Sequence, residues 1–166
     1  MTLIKISIIF LIIIGIILIY NRKKRINKLK EIQQKCHHLT KDALRVAIGN
    51  IEDKFDFLDE KTKVMDEAVI SDVWGQEIMV FEYKVCLNSK NEITLNNISR
   101  FKKEVEKQLE EYVKQKELTN SSNKEPFVIS DIWQMNDNIH LDIAYIMNDA
   151  TINYLEDINK VEKTRD

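Results

Sequence analysis

A chain of 166 residues, 44% hydrophobic and 31% charged, has room for one globular domain with a short appendage and is too apolar for disorder. Three glycines and one proline exclude collagen-like, low-complexity and glycine-loop architectures. The formal net charge of −2 is unevenly spread. Residues 1–30 hold seven of the 25 cations and no acid, which leaves 18 cations against 27 acids in residues 31–166, a net of −9. An acidic domain repels phosphate backbones, so the charge speaks against sequence-independent nucleic-acid binding, and no nucleic-acid partner is expected.

Ile6 to Tyr20 carries no charge, and the run extends back to Thr2 interrupted only by Lys5. Nineteen helical residues reach roughly 28 Å, close to the ~30 Å hydrocarbon core. The expectation is a single transmembrane anchor over residues 2–20, with Lys5 snorkelling and Tyr20 at the interface. The run is followed by Asn21-Arg22-Lys23-Lys24-Arg25 and not by a small-residue cleavage site, so it reads as a retained anchor and not as a signal peptide. Arg22, Lys23, Lys24 and Arg25 form the flank that sets orientation. The excess of cations after the helix predicts a single-pass protein of the cell membrane, N-terminus outside and domain in the cytoplasm. The collar either sets topology alone or also holds anionic headgroups.

Residues 1–25 are thus read as anchor and basic collar, and 26–166 as one domain. A helix is predicted from about Ile26 to Gly49, from apolar residues at three- and four-residue spacing. Ile51 to Lys63 reads as a helical turn or an ordered loop. A strand pair follows, Ala68–Trp74 and Ile78–Leu87, around a turn at Gly75-Gln76. Asn88 to Glu92 is a polar loop. An amphipathic helix runs from about Leu95 to Leu118, with Ile98, Phe101, Val105, Leu109 and Tyr112 inward. Thr119 to Pro126 is a connector, and a second strand pair leads to a last helix over about Ile152–Val161, with Leu155, Ile158 and Val161 inward.

The second half echoes the first. Val69-Ile70-Ser71-Asp72-Val73-Trp74 recurs as Val128-Ile129-Ser130-Asp131-Ile132-Trp133, and two weaker matches follow in the same order. This points to an internal duplication. The predicted class is α+β, in the order α–ββ–α–ββ–α: a two-layer α/β sandwich with a four-stranded antiparallel sheet and its helices on one face.

Alternation then assigns the open face of the sheet. Val80, Glu82 and Lys84 share it with His140, Asp142 and Ala144, and Asp72 with Trp74 and Asp131 with Trp133 are set there because unpaired Asp is costly to bury. Asp72, Trp74, Asp131, Trp133, Glu82 and Asp142 are therefore the candidate partner-binding residues. The alternative is that both Trp rings extend the core.

Catalytic chemistry is not evident. Cys36-His37-His38 diverge around a helix and cannot chelate one ion well. Ser71 and Ser130 lack a nucleophile elbow. Cys36 and Cys86 have no CxxC spacing and read as reduced thiols. The chain is accordingly read as a non-enzymatic protein without cofactor or metal. The Lys-, Asn- and Ile-rich composition suggests an AT-rich genome.

In size, in the anchor at residues 2–20, in composition and in lacking catalytic motifs, the chain resembles the superinfection-exclusion proteins of temperate phages of low-GC Gram-positive bacteria. The resemblance implies a membrane-bound protein that blocks DNA entry by engaging a host entry factor, a phage protein or a second copy of itself. No residue role is carried over from it. The alternative from another class is a structural subunit of a membrane secretion or conjugation machine.

Overall fold

The computed structural model describes residues 2–69, 77–87, 93–118 and 125–163, with side chains from Phe10 to Val161 except Val69. Asp72, Trp74, the Gly75-Gln76 turn, the Asn88–Glu92 loop and most of the Thr119–Pro126 connector lie outside the described residues.

The N-terminal apolar segment and the first domain helix form one element. Helix α1 runs unbroken from Thr2 to Gly49, 48 residues or about 72 Å. No proline interrupts it, and the charged collar joins its two apolar parts. Its last part carries Cys36, Thr40, Ala43, Leu44, Ala47 and Ile48 on one buried stripe, and the small side chains of Ala43 and Ala47 let the backbone lie close to its neighbours. The helix stops at Gly49, as the sequence predicts. Among the described residues no helix is long and apolar enough to cross a membrane. The apolar segment with described side chains, Phe10–Tyr20, spans eleven residues or about 16 Å. The remainder of the expected span lies outside them.

After α1, a 3-10 turn at Glu52–Lys54 drops Phe55, Phe57 and Leu58 into the core. Strand β1 is Lys63–Val69 and β2 is Val80–Cys86. Helix α2, Leu95–Gln115, opens on Thr94, whose hydroxyl accepts from the backbone N–H of Asn97 at 3.3 Å. All five of its predicted inward residues are buried, and Gln108 joins them. Phe101 meets Phe55 and Phe57 with ring centroids 5.5 and 5.8 Å apart. Strand β3 is Phe127–Met135, β4 is Asn138–Tyr145 and α3 is Asp149–Lys163. Asn136 takes the left-handed backbone (φ 55°) that the two-residue β3–β4 turn requires and that Asn tolerates.

The sheet is antiparallel in the order β1-β2-β4-β3. Phe81, Tyr83, Val85, Ile139, Leu141 and Ile143 face α1 and α2 and build the main core with Leu44, Phe101 and Val105. The α+β class and the four-stranded antiparallel sheet are as predicted. Two details differ. Strand β1 starts five residues before its expected first residue, Ala68, and Val161 on α3 is exposed, not inward.

The layering also differs. Val80 and Ala144 point away from the main core yet are fully buried. Their cover is α3. Thr151 Oγ1 accepts from the Met79 backbone N–H at 3.0 Å, and Tyr154 comes within electrostatic reach of Asp142 and Asp131. Helices therefore lie on both faces of the sheet, not on one. The reason is that Val80 and Ala144 make an apolar patch on the second face, and the half-buried Leu155 and Ile158 of α3 match it.

The sheet has a two-fold pattern. Glu82 sits directly opposite Asp142 between β2 and β4. Each hairpin bulges at the same level, at Glu67 opposite the Tyr83–Glu82 step and at Ser130 opposite the Ile143–Asp142 step. This pattern matches Asp131 with Ala68, four positions before Asp72, its partner in the sequence repeat. Val69 pairs with Phe81, whereas Val128 pairs with Ala144. The five-identity blocks thus do not occupy equivalent places over the described residues.

Candidate functional site

The second face collects four of the candidate residues into one patch. Strand β2 supplies Glu82, β4 supplies His140 and Asp142, and β3 supplies Asp131 and Trp133. The Ser130 bulge is what brings them together. Without it, Ile129 and Asp131 would share a face. With it, Ile129 meets Ile143 in the core while Asp131 meets Asp142 on the second face. Ser130 Oγ donates to the Asp142 carbonyl at 3.2 Å and holds the bulge shut.

His140 is the centre of this patch, with 1% of its surface exposed. Its Nδ1 lies 3.0 Å from Glu82 Oε1, and the Trp133 ring stacks on it at 5.2 Å with 20° between planes. Trp133 is half-buried, so it caps the imidazole and still offers an edge to solvent. Nε2 of His140 has no hydrogen-bond partner among the described residues.

Asp142 is enclosed on both sides by acid, Glu82 across β2 and Asp131 across β3. Burial pushes its carboxyl up to about 7, and the two neighbouring carboxylates push the same way. One of its oxygens is buried without a hydrogen-bond partner among the described residues. Asp131 is exposed and accepts from the Ile132 N–H at 2.7 Å. At the rim, Lys84 pairs with Glu67 at 2.7 Å. Tyr154 closes the patch from α3, its hydroxyl pushed up by burial and by both aspartates. Among the described residues no group of His, Cys, Asp and Glu is arranged to hold a metal ion. The patch thus presents an aromatic edge and an exposed carboxylate beside a buried carboxyl raised by its surroundings.

Asp72 and Trp74, the other candidates, lie outside the described residues. Strand alternation was enough to group His140 with Asp142 and Trp133 with Asp131. The His140–Glu82 contact depends on cross-strand register, and the closing role of Tyr154 on where α3 docks. Neither leaves a local signal.

A second cluster joins α1 to β1. Lys41 and His37 both reach Asp66, His37 Nε2 at 3.1 Å. Burial works against the charged form of Asp66, but Lys41 and His37 together hold its carboxyl below the usual range. Burial lowers His37 more than Asp66 raises it. Tyr83 donates its hydroxyl to the His37 carbonyl at 3.0 Å, which pins the helix to the sheet. The flanking hollow, about 710 Å³, is lined by both signs of charge, including Lys41, Arg45, Lys63, Asp59 and Glu60. These contacts hold α1 on the sheet.

At the collar, Arg25 Nη2 donates to Glu77 Oε1 at 2.8 Å, so the domain touches α1 from residue 25 onward. Arg22 and Arg25 face the hollow there, while Lys23 and Lys24 do not line it. Cys36 and Cys86 are free thiols, and burial raises Cys36 to about 11, which leaves it inert at neutral pH. No family model, no curated protein and no solved structure matches the chain.

Proposed function

We propose that this chain is a membrane-tethered, non-enzymatic interaction protein that acts in phage superinfection exclusion, holding an α+β domain against the cytoplasmic face of the membrane. The observation that carries the tethering is the continuity of α1. Its N-terminal part presents Phe10 to Tyr20 to solvent, and among these residues the large apolar side chains are each 38–70% exposed. Ten large apolar side chains exposed over eleven consecutive positions are unfavourable in water and suit a lipid environment. The same helix then enters the core at Cys36, and no linker separates the two parts.

The partner surface in this reading is the Trp133–Asp131 edge of the second face. A stacked Trp beside an exposed carboxylate is the kind of anchor that dominates protein interfaces. A host entry factor, an incoming phage protein or a second copy of the chain are the occupants considered. Autonomy tests the reading. The full chain expressed alone in a phage-sensitive host should lower plating efficiency, and a form starting at Lys28 should not. Full sensitivity with the intact chain would sink exclusion, and a requirement for neighbouring genes would favour the machine-subunit alternative.

A further inference from the structure

We propose that the corner between α1 and the start of β2 is a headgroup site for an anionic phospholipid, formed by Arg22 and Arg25. The inference rests on the membrane tethering above and names its lipid partner. Arg22, Arg25, Ile26 and Leu29 follow one another at helical spacing on one face of α1. With Glu77 they line a hollow of about 330 Å³, at the small end of the range for ligand pockets.

Each lining group has a defined part. Arg25 is held by Glu77, and Glu77 is fixed in turn because its carbonyl accepts from Asn148 Nδ2 at 2.7 Å. Arg22 has no ion-pair partner among the described residues, so its guanidinium is free to meet a phosphate with two parallel N–H donors. Arg25 lines the same hollow and makes its ion pair to Glu77 through Nη2. Ile26 and Leu29 close the hollow on the side away from the apolar segment.

Depth and charge select the ligand. Arg22 stands two residues beyond Tyr20 and Arg25 five, about 3 and 8 Å along the helix. That is the headgroup layer when Phe10–Tyr20 lies in hydrocarbon. Residues 1–30 hold no acid, and Glu77 is one negative charge against six collar cations, so a net-anionic headgroup is preferred over a zwitterionic one.

The test uses the full chain in uncharged detergent micelles, with bound lipid counted by native mass spectrometry. Phosphatidylglycerol should be retained at least tenfold more strongly than phosphatidylcholine, and millimolar inorganic phosphate should not displace it. The Arg22→Ala/Arg25→Ala double variant should fall to the phosphatidylcholine level. The Lys23→Ala/Lys24→Ala variant, with the same charge change outside the hollow, should retain most of the binding. Equal loss in both double variants would mean diffuse collar charge and overturn the site. Displacement by phosphate, or no preference between the two lipids, would overturn it too. Alkaline extraction of cell membranes separates this from the tethering: a chain released by carbonate refutes the tether, while the micelle titration judges the pocket independently.

Discussion

Asp142 carries the most perturbed carboxyl of the second face, and its effect on stability has a definite sign. Its folded value of about 7 lies above that of an unfolded aspartate, near ~3.9, so the folded state holds more protons between those values. Stability from this group therefore falls as pH rises from about 4 to 7, and the penalty is complete above 7. With solvent screening allowed for, it amounts to about 2 kcal/mol. Asp142→Asn should raise the melting temperature by several degrees at pH 8 and leave it unchanged near pH 4, read as the difference from wild type. Taking the difference removes Asp66, whose lowered carboxyl contributes in the opposite sense. An unchanged gap between the two proteins across that range would show that Asp142 is not buried as a protonated acid. The neighbouring Trp133→Ala should cost about 2 kcal/mol, less than the ~3–5 kcal/mol of a core aromatic, because the ring is half-buried and its contact is the His140 stack. The variant should fold and lose at least tenfold in partner affinity. A loss near 5 kcal/mol in thermal or urea unfolding would make Trp133 a core residue and remove it from the partner surface.

Helix α2 ends in a way that invites a stabilising change. Leu118 N–H reaches the Val113 carbonyl at 3.1 Å and Lys116 N–H the Tyr112 carbonyl at 2.9 Å, while Glu117 between them takes a left-handed backbone with φ 51°. That position favours glycine, so Glu117→Gly should stabilise the protein by about 1 kcal/mol in urea unfolding. Destabilisation would mean that the Glu117 side chain matters more than its backbone. Helix α1 makes a geometric prediction. Spin labels at positions 20 and 46 should give a single narrow separation of about 39 Å, the rise of 26 helical residues. A broad distribution would refute the unbroken strut. These elements also show what the sequence makes legible. The stripe of α2 and the strand alternation of β2 and β4 are local periodicities, and they put every core residue of those elements on its correct face. The start of β1 and the cover on the second face are set by pairing and docking between distant segments. The repeated block set the expected β1 five residues toward Trp74, whereas the register that forms answers to Val64 and Tyr83 in the core. Alternation was enough to put Asp131, Trp133, Glu82 and Asp142 on one face. The burial of Asp142 and the Glu82 contact with His140 needed the third strand and α3.

The whole molecule joins a solvent-exposed apolar rod to a folded domain through one helix, and that joint sets where the domain stands. Arg25 already touches Glu77, five residues past Tyr20, so the domain begins about 8 Å beyond the apolar segment. Under the proposed tethering, that spacing sets the domain against the headgroups, and its partners would work at the membrane surface. Two consequences are measurable. In the proposed orientation, everything beyond Arg25 should be protected from an external protease in intact protoplasts, since the cations that follow the apolar run favour a C-terminal side inside. Digestion without lysis would reverse the orientation and turn the second face toward the outside. The form starting at Lys28 discards the exposed rod and Arg25 but keeps Cys36 to Ile48, the α1 residues that build the core. It loses the surface Arg25–Glu77 pair, which is worth no more than about 1 kcal/mol at such exposure. That form should therefore be monomeric, free of the membrane fraction and within a few degrees of the full chain's melting temperature. If it aggregates or melts far lower, the N-terminal half of α1 is part of the domain's own structure, and the exposed Phe10–Tyr20 surface has to be covered by protein instead of lipid.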